Sequence, residues 1–291
     1  MNKGGNKVLR LKKLVGSPLA IGRVFSEYVF MGFVLLTCTL PIIWVFISSF
    51  KNNMEVLESP LSWPSHISLE SYIDAFKVAK LQVFFVNSVV VAVIATLIAL
   101  IIYSMAAYAV ARFKFKFKGL IFVLFSASLL IPVNSMIYPI YYLIKSAGLY
   151  DTKAALVVVY IGIGLPISFF ILRSYFINIP IEIEESAYID GANIIKMFFK
   201  IIFPIAKPAI ASAAIMIFLG CWNDFLFALL LTSSEKNRTL PLSLKYFVIN
   251  FSYDYPSLFA TVVMILIPCI LVYVLLQEQI MESLVAGSVK G

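Results

Sequence analysis

Four carboxylates fall within nine residues of the stretch "IPIEIEESAYIDGANIIKMFFKIIFPIAKP", Ile179 to Pro208: Glu182, Glu184, Glu185 and Asp190. A further acid, Asp224 in "WNDFLFALLLT", interrupts an otherwise apolar run. Acid–base or metal chemistry would need these groups clustered with histidines or cysteines. The one histidine, His66, stands alone in a loop and reads as solvated. Cys38, Cys221 and Cys269 lie inside apolar stretches and read as small core hydrophobes. There is no G-x-x-x-x-G-K-[ST] phosphate loop. The chemistry left is recognition: ionic and close-packed contact in the first group, hydrogen bonding to a polar solute in the second.

The elements that position these residues are long and apolar. Apolar residues make up 62% of the 291, and charged ones 13%, against about 45–50% and about 25% in a soluble domain. Crossing roughly 30 Å of hydrocarbon takes about 20 residues of helix. Six runs qualify: Val29 to Phe50, Val83 to Ala109, Leu120 to Ile144, Ala154 to Leu172, Ala209 to Leu231 and Leu258 to Leu276. Backbone polar groups in lipid must be satisfied within the segment, and the runs are too continuous for barrel strands, so an all-α integral membrane protein with six spans is expected. The first run is too long for a secretory signal. The expected division is 1–28 as an N-terminal segment, 29–277 as the membrane domain with a polar loop over 173–208, and 278–291 as a tail.

Basic residues set the orientation. Lys3, Lys7, Arg10, Lys12, Lys13, Arg23, Arg112, Lys114, Lys116, Lys118, Arg173, Lys196, Lys200, Lys207 and Lys290 fall on one side of a six-span chain, and the remaining eight on the other. The positive-inside rule places both termini and the patterned segment in the cytoplasm. This also accounts for the surplus of eight positive charges without nucleic acid. On the outside, the loop Lys51 to Gln82 carries an amphipathic stretch from near Ser68, with Trp63 and Tyr72 suited to the interface.

The polar segment reads as helix, turn, helix. Pro180 starts a helix from about Ile181 to Asp190, with acids at its positive end. Gly191 suits the left-handed stop, Asn193 caps the next helix and Pro204 breaks it. "IIKMFFKIIF" is amphipathic and rests on the membrane or on the protein's own helices. Ser186, Ala187, Gly191 and Ala192 are small enough for another surface to approach the backbone. From pattern alone the segment reads equally as a docking site or as an interfacial linker.

An ionisable group at membrane depth costs at least about 2.5–3.5 kcal/mol at the helix centre and so faces a bundle interior or a wet cavity. Asn223 and Asp224 offer hydrogen bonds to a solute and Trp222 a flat apolar face; pairing of Asp224 with a neighbouring subunit is the equal alternative. Pro132, Pro139, Gly162, Gly164, Pro166 and Pro268 read together as bends for alternating access and singly as packing kinks, and Asn134 and Tyr141 are placed with the same cavity.

"ESAYIDGANIIKMFFKIIFPIAKP" resembles the E-A-A-x-x-x-G-x(9)-I-x-L-P loop of ABC importer permeases, matching at Glu185, Ala187, Gly191, Ile201 and Pro204 and departing at Ser186 and Phe203. "NSVVVAVIATLIALIIYSMAAYAVARF", "WNDFLFALLLT" and the tail "GSVKG" agree, so the likeness covers nearly the whole chain. It is similar to the shorter, second permease subunit of the maltose-type, carbohydrate-uptake branch. The resemblance implies a type I importer permease fold in a bacterial cytoplasmic membrane, with a coupling helix seated in a cleft of a cytoplasmic ATPase. Glu185 would contact the ATPase, Ser186, Ala187, Gly191 and Ala192 would allow the fit, Asp190 would hold the turn, and Ser288 and Lys290 in the tail would also reach it. The implied partners are a homologous second permease, two ATP-binding subunits and an extracytoplasmic solute-binding protein, with a sugar as cargo. ATP and Mg belong to the partners; this chain is expected to bind no cofactor or metal and to catalyse nothing. An ion-coupled secondary transporter is the rival reading, but one Asp is thin support for ion coupling and no internal repeat is apparent. A membrane enzyme would need a cluster of His, Glu or Asp that the sequence lacks.

Overall fold

The computed structural model describes residues 18–78, 80–249 and 252–288. In chain order the helices are α1 (Pro18–Ser48), α2 (Asn53–Glu58), α3 (Glu70–Val78), α4 (Leu81–Arg112), α5 (Lys118–Ser128), α6 (Ile137–Ser146), α7 (Lys153–Asn178), α8 (Ile181–Ile189), α9 (Ile194–Met197), α10 (Lys207–Asn223), α11 (Leu226–Leu231) and α12 (Tyr255–Ser288). Among the described residues, four helices are long and apolar enough to cross a bilayer, and two bent helix pairs raise the number to as many as six. Among the described residues the regular elements are helices, save a ribbon of two-residue strands, Val248–Ile249 and Ser252–Tyr253.

Small residues explain why α4 sits at the centre. Ala92, Ala95, Ala99 and Ala107 repeat at helical spacing and are buried. Facing them on α7 are Leu156, Phe169, Leu172 and Phe176, all without exposed surface. Lipid tails are as apolar as leucine, so helices in a membrane associate by close packing, and alanine lets backbones approach. α10 packs against both helices and against α12. α1 is different: its apolar window has no residue buried by the rest of the chain. Its surface is matched to lipid or to another subunit.

Prolines divide the third expected span as their position in a helix dictates. α5 stops at Ser128, and a 3-10 turn, Val133–Met136, follows Pro132 into α6, with a 100° bend between the halves. Pro132 supplies no N–H and disfavours helix in the residue before it. Pro139, expected to bend this span as well, lies in the first turn of α6, where a proline costs no hydrogen bond. Pro166 and Pro268 are carried inside the continuous helices α7 and α12.

At the end of the bundle away from α8 the connections are ordered. Lys51, 1% exposed, donates from Nζ to the carbonyls of Ser59 and Pro60 at 3.1 and 3.0 Å, and Trp44 Nε1 donates to Pro60 at 2.7 Å. α2 carries a capping box between Asn52 and Glu55. The amphipathic stretch expected near Ser68 is α3.

Candidate functional site

Local signals build the hairpin at one end. Pro180 precedes α8, whose first turn holds Glu182 and Glu184. The helix ends in a paired stop: the Gly191 N–H donates to Tyr188 and the Ala192 N–H to Ala187, both at 3.0 Å, with Gly191 at φ +77°. This is the Schellman arrangement, which an L-residue with a side chain resists. Asn193 Oδ1 then accepts the Lys196 N–H at 2.8 Å and starts α9. Beyond α9 the helix continues through a π-helical turn, Phe198–Ile202, and Phe203–Ile205. The chain bends 82° into α10 at Ala206, two residues past the expected break at Pro204, while Pro208 occupies the first turn of α10.

α8 has two faces. Glu185, Ser186, Tyr188, Ile189 and Asp190 are exposed, Tyr188 at 75% and Ile189 at 84%. Ile194 and Ile195 extend the same apolar exposure. Ala187 and Ala192 are buried against this chain's own helices, so the close approach they permit is internal, whereas Ser186 and Gly191 are open. The Ser186 hydroxyl donates back to the Glu182 carbonyl at 2.7 Å.

The inward face carries residues that pattern alone did not single out. Glu184 Oε1 lies 2.6 Å from Arg112 Nε, the last residue of α4, and its Oε2 accepts from the Tyr108 hydroxyl at 3.2 Å. Arg112 also donates to the Ile179 carbonyl. Phe113, Phe176 and Phe198 pack round the Tyr108 ring, centroids 5.3 to 5.7 Å away.

A second polar site lies where α10 ends. Asp224 is the first non-helical residue after Asn223; its carboxylate accepts the Tyr160 hydroxyl of α7 at 2.8 Å and the N–H groups of Ala228 at 2.9 Å and Phe227 at 3.3 Å. It thus caps α11 and ties the fifth span to the fourth. A cavity of about 120 Å³ opens here, lined by Tyr160, Gly164, Gly220, Cys221, Asp224 and Phe227. Asn223 beside it is exposed, donating to the Leu219 carbonyl at 3.0 Å.

Trp222 does not present a face to a solute. Its ring is 1% exposed and stacked on Phe218, with Nε1 donating to the Ile265 carbonyl at 3.0 Å, so it fastens α10 to α12. Asn134 is exposed on the turn whose first residue, Val133, lines the Asp224 cavity. Tyr141 lies outside that lining, with its ring against Tyr150 at 5.8 Å and under the Lys145 ammonium. Ser288 ends α12, and Lys290 lies outside the described residues. No group of three or more His, Cys, Asp or Glu among the described residues could hold a metal ion.

At the opposite end, Asp151 joins two loops. With φ +58°, it accepts the N–H groups of Ser233 and Ser234 on Oδ1, each at 2.9 Å. Partial desolvation raises its carboxyl, but hydrogen bonds from Ser234, Ser233 and Asn237 outweigh this and hold it down to about 2. Beside it Lys80 pairs with Glu235 at 2.6 Å, and Asn87 Nδ2 donates to the carbonyls of Lys236 and Arg238, both at 2.9 Å.

Residues 104–281, which include α8, the hairpin turn and Asp224, match the family described as the binding-protein-dependent transport system inner membrane component. The chain belongs to that family. Relatives span nearly its full length. It is 36% identical over 251 residues to the diacetylchitobiose uptake system permease protein NgcG of Streptomyces coelicolor, covering 86% of this chain and 83% of that one. It is 35% identical to the trehalose transport system permease protein SugB of Mycobacterium tuberculosis, covering 87% and 92%. The fold matches a chain in the crystal structure of a bacterial ABC transporter involved in the import of the acidic polysaccharide alginate, with a TM-score of 0.78 at 22% identity over 90% of this chain and 98% of that one. The protein is therefore a membrane-embedded permease subunit of the ABC importer class, a transport component. In this permease the hairpin and the Asp224 break both fall inside the region that defines the family.

Proposed function

We propose that this permease carries a sugar or short oligosaccharide across a bacterial cytoplasmic membrane, driven by ATP hydrolysis in partner subunits that dock on α8. It pairs with a second, homologous permease; two ATP-binding subunits lie beneath and a solute-binding protein outside. The basic residues at the α8 end set that end in the cytoplasm. Both relatives are named for carbohydrate cargo, diacetylchitobiose and trehalose.

The observation that carries the reading is the outer face of α8. Glu185, Ser186, Tyr188, Ile189 and Asp190 stand clear of the bundle on a short helix closed by a left-handed stop. An apolar pair flanked by a carboxylate suits a protein partner, because aromatic and aliphatic anchors supply the binding energy and the charge supplies register. Closure of that partner then moves the helices as rigid bodies. Asn223 and Asp224 line the solute path, Asn134 faces it, and the tail with Ser288 and Lys290 makes a further ATPase contact.

Affinity purification from the native membrane tests the proposal. The permease should bring an ATPase with it, and vesicles of the complex should take up labelled trehalose, maltose or diacetylchitobiose only with ATP and a binding protein. Uptake driven by an ion gradient without ATP would refute it.

A further inference from the structure

Glu184 and Glu185 are adjacent in α8, about 100° apart round the helix axis, and their surroundings are opposite. Glu185 is exposed. Glu184 is 13% exposed and its ion-pair partner Arg112 is 12% exposed. We propose that Arg112 and Glu184 form a strut that holds α8 at a fixed angle to α4 and α7, so that a load on the docked helix is transmitted to two spans together; Glu184 is thus a positioning residue, separate from the exposed face that meets the ATPase. The inference rests on the coupling reading of α8.

Three features carry it. First, Arg112 spans a joint. Its guanidinium meets the Ile179 carbonyl at the end of α7 and the Glu184 carboxylate in the first turn of α8, so it fixes the angle across Ile179 and Pro180. Second, the carboxylate is held at both oxygens. Tyr108 lies one turn before Arg112 on the same face of α4 and donates to Oε2, while Arg112 meets Oε1. Attachment at two points defines orientation, which one contact or a sliding apolar surface does not. Third, the Phe113, Phe176 and Phe198 rings pack round Tyr108 and fix the side chain that donates to the carboxylate. A buried ion pair is often no more stabilising than apolar packing of equal volume, so what this one adds is geometry.

The test uses the full complex in nanodiscs, with native cysteines replaced by serine and spin labels on cysteines at Glu182 in α8 and Lys114 just past α4. With the ATPase bound, the label-to-label distance should be narrow and the same with and without ATP and vanadate. Glu184→Gln should retain the ATPase but broaden the distribution and make it shift with nucleotide. The reciprocal exchange, Arg112→Glu with Glu184→Arg, should narrow it again. A narrow, nucleotide-independent distance in Glu184→Gln would overturn the proposal, as would loss of the ATPase that the exchange does not reverse. Failure of the unsubstituted chain to retain an ATPase would overturn the coupling reading, and the strut with it.

Discussion

Tyr160 on α7 donates a 2.8 Å hydrogen bond to the carboxylate of Asp224 at the end of α10. The same carboxylate accepts two backbone N–H groups at the start of α11, so Asp224 has three hydrogen bonds within the chain. A solute hydroxyl entering the cavity would compete with the Tyr160 phenol for it. Replacing Asn223 with Ala and Asp224 with Leu together should abolish uptake while leaving the complex assembled. Tyr160→Phe should cost about 1.5–3 kcal/mol of stability, the worth of a hydrogen bond to a charged group, and alter uptake. Normal uptake by the double variant, measured beside normal ATPase recovery, would remove these residues from the path.

The sequence disclosed what depends on local signals. Gly191, Asn193 and Pro180 act through the backbone within a few residues, and the structure shows the left-handed turn, the cap and the helix start at those positions. What it hid is which face of each helix meets what. Nothing local distinguishes Glu184 from Glu185, or tells that Ala187 packs inward while Ser186 does not; Glu184 turns inward to Arg112, at the far end of α4 in sequence, and Ala187 joins the core cluster of the helices. Trp222 misled for a related reason. A Trp beside Asn and Asp resembles a solute platform, but the acceptor of its N–H is the Ile265 carbonyl on another helix. Pro132 and Pro139 differ only in distance from a helix start, which depends on where α6 begins.

Gly191 gives a backbone test of the hairpin. No atom lies within 4 Å of where its Cβ would be, so a side chain there meets no obstacle inside this chain. The cost of Gly191→Val comes from φ +77°, about 1–2 kcal/mol for an ordinary L-residue in the left-handed region. Gly191→Asn should be tolerated better, since Asn visits this region. Co-purified ATPase is expected to fall for Val and to be largely kept for Asn. Equal recovery from both would show that the turn does not shape the docking face.

Glu185 tests charge at that face. It is exposed, so Glu185→Lys should change folding stability by no more than about 0.5 kcal/mol. ATPase recovery, however, should drop about tenfold and become less sensitive to salt, as expected when a steering charge is reversed. A pull-down across a salt series reads both effects.

The loop latch at Asp151 makes a prediction about acid. Its carboxyl is held at about 2 against 3.8 for a free aspartate. A depressed value means that the folded chain favours the charged form. The stabilisation is complete above about pH 4 and is lost as the pH falls through the folded value. The segment from Ser233 to Asn237 should therefore stay anchored at pH 4 and loosen towards pH 2. Comparing pepsin cleavage within Leu240–Phe247 at the two pH values, in detergent and relative to Asp151→Ala, reads this directly. The unsubstituted chain should lose its protection relative to Asp151→Ala as the pH approaches 2. At neutral pH the same variant should be cut faster by trypsin after the exposed Lys236, because the N–H groups of Ser233 and Ser234 lose their acceptor. Equal trypsin rates would mean that Asn87, which holds the carbonyls of Lys236 and Arg238, suffices to fix the loop without Asp151.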